Sequence, residues 1–501
     1  MGRRACGVVV GAAVAILGLA PPEARAADLD VGAGQTYTTI QAAANAAQAG
    51  DVIRVHAGTY AEDLALDASG SSSTPITLEG GIDGDAIVSG RITLDGAHWA
   101  IRTLIVEPTT GRRGVRLRGD HNLLDDVEIR GGDNNGVDGS GTGNEIRNCR
   151  IHDLDSSSDA HCIVLNPGAT DWIIADNELY DCAGDGVQLY SSGVERTIVN
   201  TRIENNSMYF TGAVQRTENA IDVKNADGLI ITGNTTWGFP NQKNMVFQKG
   251  PANIHVECNV LHSGLSGVEF RGEDGGTVEN VTFLRNLLHD FDEFALKFDG
   301  TVGAEVFNNT FVDAASDGLR IEGAGLASAV VQNNLWLRTG AVEAGSFTAD
   351  HNGFFDVGTI SIASGSDVNA NPSLDGNYLL TAGSPMIDAG TDVGLPFSGT
   401  APDLGFHEVG IDGCEPTGAG GSGTGGSSSG GSSSGGSGTA GSGNASSGGT
   451  GGTSSGAATG ATPEEDGGCG CRVGGQGSTA PWLALLTAMV ALGSVRRRRF
   501  R

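Results

Sequence analysis

The sequence predicts an all-β solenoid, a single-stranded parallel β-helix with a capping helix at its N-terminal end, on three observations. An apolar-x-x-Asn-x-apolar motif recurs eight times, β-branched and other apolar residues alternate by two between its copies, and glycine (81 of 501 residues) punctuates the segments.

The motif reads IRNCRI, IADNEL, IENNSM, ITGNTT, VECNVL, FLRNLL, VFNNTF and VQNNLW, with its key position at Cys149, Asn177, Asn206, Asn234, Asn259, Asn286, Asn309 and Asn334. Successive spacings run from 23 to 29 residues, the length of one solenoid coil. A period-two pattern excludes helical repeats, and no Leu/Asn consensus of leucine-rich repeats is present. An asparagine at the same turn in each coil has a structural use: its amide can bond to the next asparagine and satisfy turn backbone groups.

The ends of the stack follow. Residues 36–60, TYTTIQAAANAAQAGDVIRVHAGTY, hold a Thr cap, an Ala-rich amphipathic helix and a strand opened by Gly50-Asp51. A helix there would cover the first coil and block edge pairing. NPSLDGNYLLTAGSPMIDAG at 371–390, followed by PDLGFHE, closes the other end. Both ends resemble those of pectin-lyase-like right-handed β-helix proteins over most of residues 30–408, and the resemblance implies a right-handed coil.

Outside that body, residues 1–26 read as a signal peptide, with Arg3 and Arg4, an apolar run and Ala24-Arg25-Ala26. The folded domain is expected at 28–412, a Gly/Ser-rich linker at 413–468 and a sorting segment at 469–501. Cys469-Gly470-Cys471-Arg472, the apolar stretch from Trp482 to Val495 and the arginines 496–499 resemble the MYXO-CTERM tail of myxobacterial surface proteins. That resemblance implies export and display on the outer cell surface, with membrane contact only through the tail.

With 59 acidic residues against 30 Lys and Arg, a formal charge of −29, nucleic acid is an unsuitable partner. An anionic ligand would need a local basic patch or a bound cation. Five cysteines remain once Cys6, Cys469 and Cys471 are set aside, an odd number at irregular spacing that suggests no disulfide framework. A monomer is expected.

A second strand in each coil carries the candidate chemistry. Aligned as GVDGS, CIVLN, GVQLY, AIDVK, MVFQK, GVEFR, ALKFD and GLRIE, these strands point positions two and four inward and positions three and five outward. The fifth-position column then contains Tyr190, Lys224, Lys249 and Arg271, and the third contains Gln188, Asp222, Phe247 and Glu269. Three stacked cations about 5 Å apart repel one another and require compensation. Asp222 and Glu269 could supply it as a plain salt-bridge ladder, although such surface pairs contribute only about 0–1 kcal/mol each.

The chemistry suited to such a face is β-elimination on a uronic-acid polymer. A lyase must neutralise the uronate carboxylate, with Ca²⁺ or Arg, and set a base near C5. Lys249 is the first candidate base, Lys224 the second, and Arg271 the carboxylate partner. The segment Glu218-Asn219-Ala220-Ile221-Asp222 resembles the Asp-Asp-Gly-Phe-Asp run of family 9 polysaccharide lyases. That resemblance implies Ca²⁺ held by Glu218, Asn219, Asp222 and, from the preceding coil, Asp185. Residues 244–250, NMVFQKG, resemble the segment supplying that family's lysine, displaced so that Phe247 occupies its position. The Lys249/Arg271 pair equally resembles family 6 lyases.

Substrate contacts are expected from Arg216 on the long loop before Ala220, from Tyr190 and Glu269, and from an aromatic strip that includes Trp237 and His262. Three other readings remain open: a glycoside hydrolase using Asp125, Asp126 or Asp138, a C5-epimerase sharing the lyase site, and a non-catalytic glycan binder or adhesin.

Overall fold

The computed structural model describes residues 26–411 and 414, apart from 194. The expected signal peptide, nearly all of the linker and the sorting segment lie outside them. Among the described residues, no helix is long and apolar enough to cross a membrane.

Short strands close into coils because each buries alternate side chains against the others. One coil shows the plan: Ile198–Glu204 forms the first side, Ser207–Tyr209 the second and Ile221–Lys224 the third, before Ala226–Thr232 opens the next coil. Each strand pairs in parallel with its equivalents above and below, giving three ladders. The second ladder alone runs through 14 strands, from Gly58–Tyr60 to Val368–Asn369. The expected all-β parallel solenoid is therefore observed.

One short helix, Ile40–Ala46, buries Ile40, Ala43 and Ala44, and its Thr39 hydroxyl accepts from the Ala42 N–H. Inside the coils like residues stack: Phe247 on Phe270 at 4.6 Å between ring centres, and Phe270 on Phe298 at 5.1 Å.

The asparagine ladder sits where the first side turns into the second. The residue before each ladder position adopts a left-handed conformation, as at Asp176 (φ 58°), Asn205 (φ 55°), Gly233 (φ 68°) and Asn308 (φ 52°). This sharp turn leaves N–H groups that the side chain at the same position of the next coil accepts. Asn177, Asn206, Asn234, Asn259, Asn286 and Asn309 each donate their backbone N–H to the next asparagine's Oδ1 at 2.9–3.0 Å. Cys149 donates to Asn177, and the ladder continues past Asn334 to Asn352 and Asp367, two members the motif search did not contain.

Two disulfides are present among the described residues, a pairing that the cysteine spacing left open. Cys162–Cys182 links successive coils, and Cys258–Cys414 ties the end of the described chain back to a mid-stack turn. Between the last strand and Cys414 the chain returns along this corner. Asn333 donates to the Thr391 carbonyl and Asn308 to that of Asp403, while Phe406 N–H donates to the Thr310 hydroxyl. Cys149 is a buried free thiol.

Candidate functional site

On the third ladder, pairing fixes which side chains are neighbours. Ile221 pairs with Met245, Asp222 with Val246, Val223 with Phe247 and Lys224 with Gln248, and the following coil sets Glu269 beside Val246 and Arg271 beside Gln248. The expected stack of Lys224, Lys249 and Arg271 is thus corrected. Gln248 stands between Lys224 and Arg271, and Phe247 points into the core, fully buried.

Lys249 lies one residue further along, with φ 72°, and pairs with Gly272. Its ammonium reaches away, to Asp274 at 3.4 Å and the Ser192 carbonyl at 3.5 Å. A one-residue shift in register turns every outward side chain inward, which is why the difference is large.

What the register brings together is a hollow of about 250 Å³ lined by Glu218, Asn219, Asp222, Lys224, Gln242, Lys243, Val246, Gln248 and Arg271. Five of the expected residues line it (Glu218, Asn219, Asp222, Lys224 and Arg271), and Lys243, Gln242, Val246 and Gln248 are additions. Lys224 pairs with Asp222 at 2.9 Å and lies 5.8 Å from the centre of the Tyr190 ring, itself 40% exposed. Burial lowers the Lys224 pKa, but Asp222 outweighs it and the net shift is upward. Asp222 is raised in turn by burial and by Asp185. Arg271 donates to the Gln248 side-chain oxygen at 2.9 Å and forms an ion pair with Glu273 at 2.7 Å.

Glu269, expected to meet substrate, is instead a buried anchor. It is 2% exposed and serves three cations, Lys297 at 3.1 Å, Lys243 at 3.3 Å and Arg271 at 3.8 Å. Burial raises its pKa, yet Lys243 and Lys297 bring it below the ordinary carboxylate value. Arg216 is not in the lining; it bridges Asp159 and Glu218, the second of which is. Burial and the neighbouring Asp185 push Glu218 up to about 7.

Deeper in, Asp185 is fully buried. With His161 and Glu218 it forms a trio whose ligand atoms lie within 4.8 Å of one another, and His161 was not foreseen from the sequence. His161 Nδ1 lies between the Asp185 N–H at 2.9 Å and Asp185 Oδ2 at 3.1 Å, so it accepts the amide when neutral and faces the carboxylate when charged. Burial lowers this imidazole's pKa, and Asp185 more than offsets that.

The donor set tests the implied calcium. Asp185 Oδ1 accepts two bonds from Asn219, from its backbone N–H and its side-chain amide, both at 2.9 Å, and Oδ2 accepts from Gln188 at 2.9 Å. Asp222 accepts from Lys224 at 2.9 Å, Gln248 at 2.6 Å and Gln188 at 3.3 Å. The Asn219 amide oxygen accepts the Lys243 N–H at 3.2 Å. Calcium takes about 6–8 oxygens, and of the four residues expected to hold it only Glu218 retains ready acceptor capacity. Calcium does not fit this set as it stands.

The aromatic strip is real but differently used. His152, Tyr180, Tyr209, Trp237, His262 and His289 stack face to face on the second ladder, with ring centres 4.4–5.8 Å apart. Their faces cover one another, so Trp237 and His262 do not offer a sugar platform, a correction that follows from the 4.8 Å coil repeat being close to ring-stacking distance.

The right handed beta helix region, a family defined by sequence, matches residues 92–238 and 214–379, together more than half of the 501 residues. The chain belongs to this family. Among curated proteins no sequence matches it. Similar solved structures include the family 6 alginate lyase AlyGC, at 17% identity and a TM-score of 0.53, covering 71% of this chain and 55% of that one. Alginate lyase AlyF-OU02, solved as a complex with G6, follows at 13% identity and a TM-score of 0.51, covering 72% and 91%. Pectate lyase Pel9A has 18% identity and a TM-score of 0.39 over 74% and 91%. At such identities the likeness to the two alginate lyases speaks for the fold alone.

Proposed function

We propose that this β-helix protein is an exported polysaccharide lyase-like protein acting on a uronic-acid polymer by β-elimination. One observation carries the reading: a hollow on the third ladder that sets Lys224, Lys243 and Arg271 around a space large enough for a sugar ring, on a chain of net charge −29. Arg271 and Lys243 receive the uronate carboxylate, and Tyr190 and Arg216 flank it. Lys224 is the residue placed to take the C5 proton. As that proton leaves, its bonding electrons form the C4–C5 double bond, the C4–O4 bond breaks and the departing oxygen takes up a proton.

Lys224 is charged at rest, as lysines are, and Asp222 strengthens its hold on the proton, so it must lose that proton first. Activity should therefore rise toward alkaline pH. Export is supported by the two disulfides, which persist in oxidising compartments. The helix Ile40–Ala46 we read as the N-terminal cover of the stack.

A non-catalytic glycan binder is the second reading, favoured by Val246 occupying the place beside Asp222 where the register leaves no lysine. One experiment separates the two. The full chain is incubated with polygalacturonate, alginate or glycosaminoglycan while the ultraviolet absorbance of unsaturated product is followed. A lyase gives a rise that Lys224→Ala abolishes. Retention on the polymer without that rise identifies a binder, and neither signal on any of the polymers sinks both.

A further inference from the structure

The hollow's hydrogen-bonding inventory is lopsided. Apart from Glu218, which pairs with Arg216, its acidic and Asn219/Gln248 acceptors are engaged: the Asp222 carboxylate takes Lys224, Gln248 and Gln188, the Gln248 side-chain oxygen takes Arg271, and the Asn219 oxygen takes the Lys243 N–H. Its donors are not. An ammonium has three N–H groups and a guanidinium five. Lys224 has one carboxylate, Asp222, and Lys243 shares Glu269 with Lys297 and Arg271.

Charge points the same way. The lining holds three cations, Lys224, Lys243 and Arg271, against two carboxylates, Glu218 and Asp222. Glu269, the shared counter-ion, is only 2% exposed, so it pins the Lys243 and Arg271 stems from below and leaves their remaining N–H groups to the hollow. All three cations are partly open, with side chains 20% (Lys224), 24% (Lys243) and 28% (Arg271) exposed.

From this we infer that the hollow is a receptor for one uronate carboxylate, which Lys243 and Arg271 bind directly with no calcium bridge. The inference rests on the lyase-like reading for its substrate class and replaces the metal which the family resemblance implied with side chains of this chain. Gln248 is a positioning residue: its amide hydrogen goes to Asp222 and its oxygen to Arg271, so it holds the guanidinium at the height of the hollow while tying down the acid that calcium would need.

The test uses the full chain and a short galacturonate oligomer, with binding followed by calorimetry in chelator and again in excess Ca²⁺. Affinity should agree within about threefold between the two conditions. It should fall about tenfold or more in Arg271→Ala and in Lys243→Ala, a loss appropriate to a charge-assisted bond, and the methyl-esterified oligomer should not bind. Arg271→Lys, which retains the charge but loses the planar fork, should lie between, and unchanged circular dichroism confirms that each variant is folded.

Binding that appears only with Ca²⁺ overturns the inference and leaves the lyase reading standing. The same holds if Ca²⁺ alone raises the thermal midpoint and Asp222→Asn removes that rise. Calcium-independent binding without unsaturated product supports the inference while removing the lyase. No binding of the oligomer in either condition overturns the inference, and the polymer assay then decides the reading.

Discussion

Replacing Asn234 with alanine is the most direct trial of the reasoning about the stack. Asn234 is fully buried, and its Oδ1 accepts both the backbone N–H and the side-chain amide of Asn206 at 3.0 Å. Its own amide donates to Asn259 Oδ1 at 3.0 Å and to the Ile203 carbonyl at 2.8 Å. The alanine variant leaves two buried donors of Asn206 without acceptors. At about 1–3 kcal/mol for each stranded group, the cost is about 2–6 kcal/mol.

Asn177 supplies the internal comparison. Its Oδ1 accepts only from Cys149, a residue without an amide side chain, so Asn177→Ala strands one donor and should cost about 1–3 kcal/mol. Urea unfolding followed by circular dichroism gives the two losses. Because solenoids can lose coils separately, exchange of the Asn206 amide hydrogen gives the local one. A loss below about 1 kcal/mol for Asn234→Ala, or one no larger than for Asn177→Ala, would refute the view that the ladder works by satisfying turn donors.

Two further outcomes follow from the second ladder and the site. His262 is held down to about 4 by burial and by His289, from an ordinary 6.5. The unfolded chain therefore binds the extra proton between those values, and the thermal midpoint should fall as pH drops from 6.5 toward 4. His262→Phe retains a ring in the stack and should flatten that fall, whereas an unchanged profile would show that the imidazole is not responsible. Trp237→Ala should lower the thermal midpoint and leave uronate binding intact, because its faces are covered by Tyr209 and His262. Tyr190→Ala should do the reverse, and a loss of binding in the tryptophan variant alone would restore the platform reading.

The repeat made the stack legible, since a buried asparagine every coil leaves a strong trace in the sequence. The site was only half legible, and one coil explains why. In Met245-Val246-Phe247 three apolar residues run together, so alternation by two could not choose between two registers. Aligning Phe247 with Phe270 and Phe298, which stack in the core, would have resolved it and placed Gln248 between Lys224 and Arg271. His161 and Gln188 carry no comparable mark. They matter because His161 reaches Asp185 and Gln188 reaches Asp222 from coils 24 and 34 residues away, and such contact has no signature in spacing alone.

The bond between Cys258 and Cys414 makes a covalent ring, because the two cysteines are 156 positions apart and the intervening chain holds the later coils. On the chain-entropy account, closing so long a loop is worth about 5 kcal/mol. A protease that cuts once anywhere inside the ring severs the backbone but releases no fragment, and the cut ends remain held by the coils above and below. Such a molecule would migrate as a single piece until reduced, so single nicks in its surroundings need not cost it any of its length.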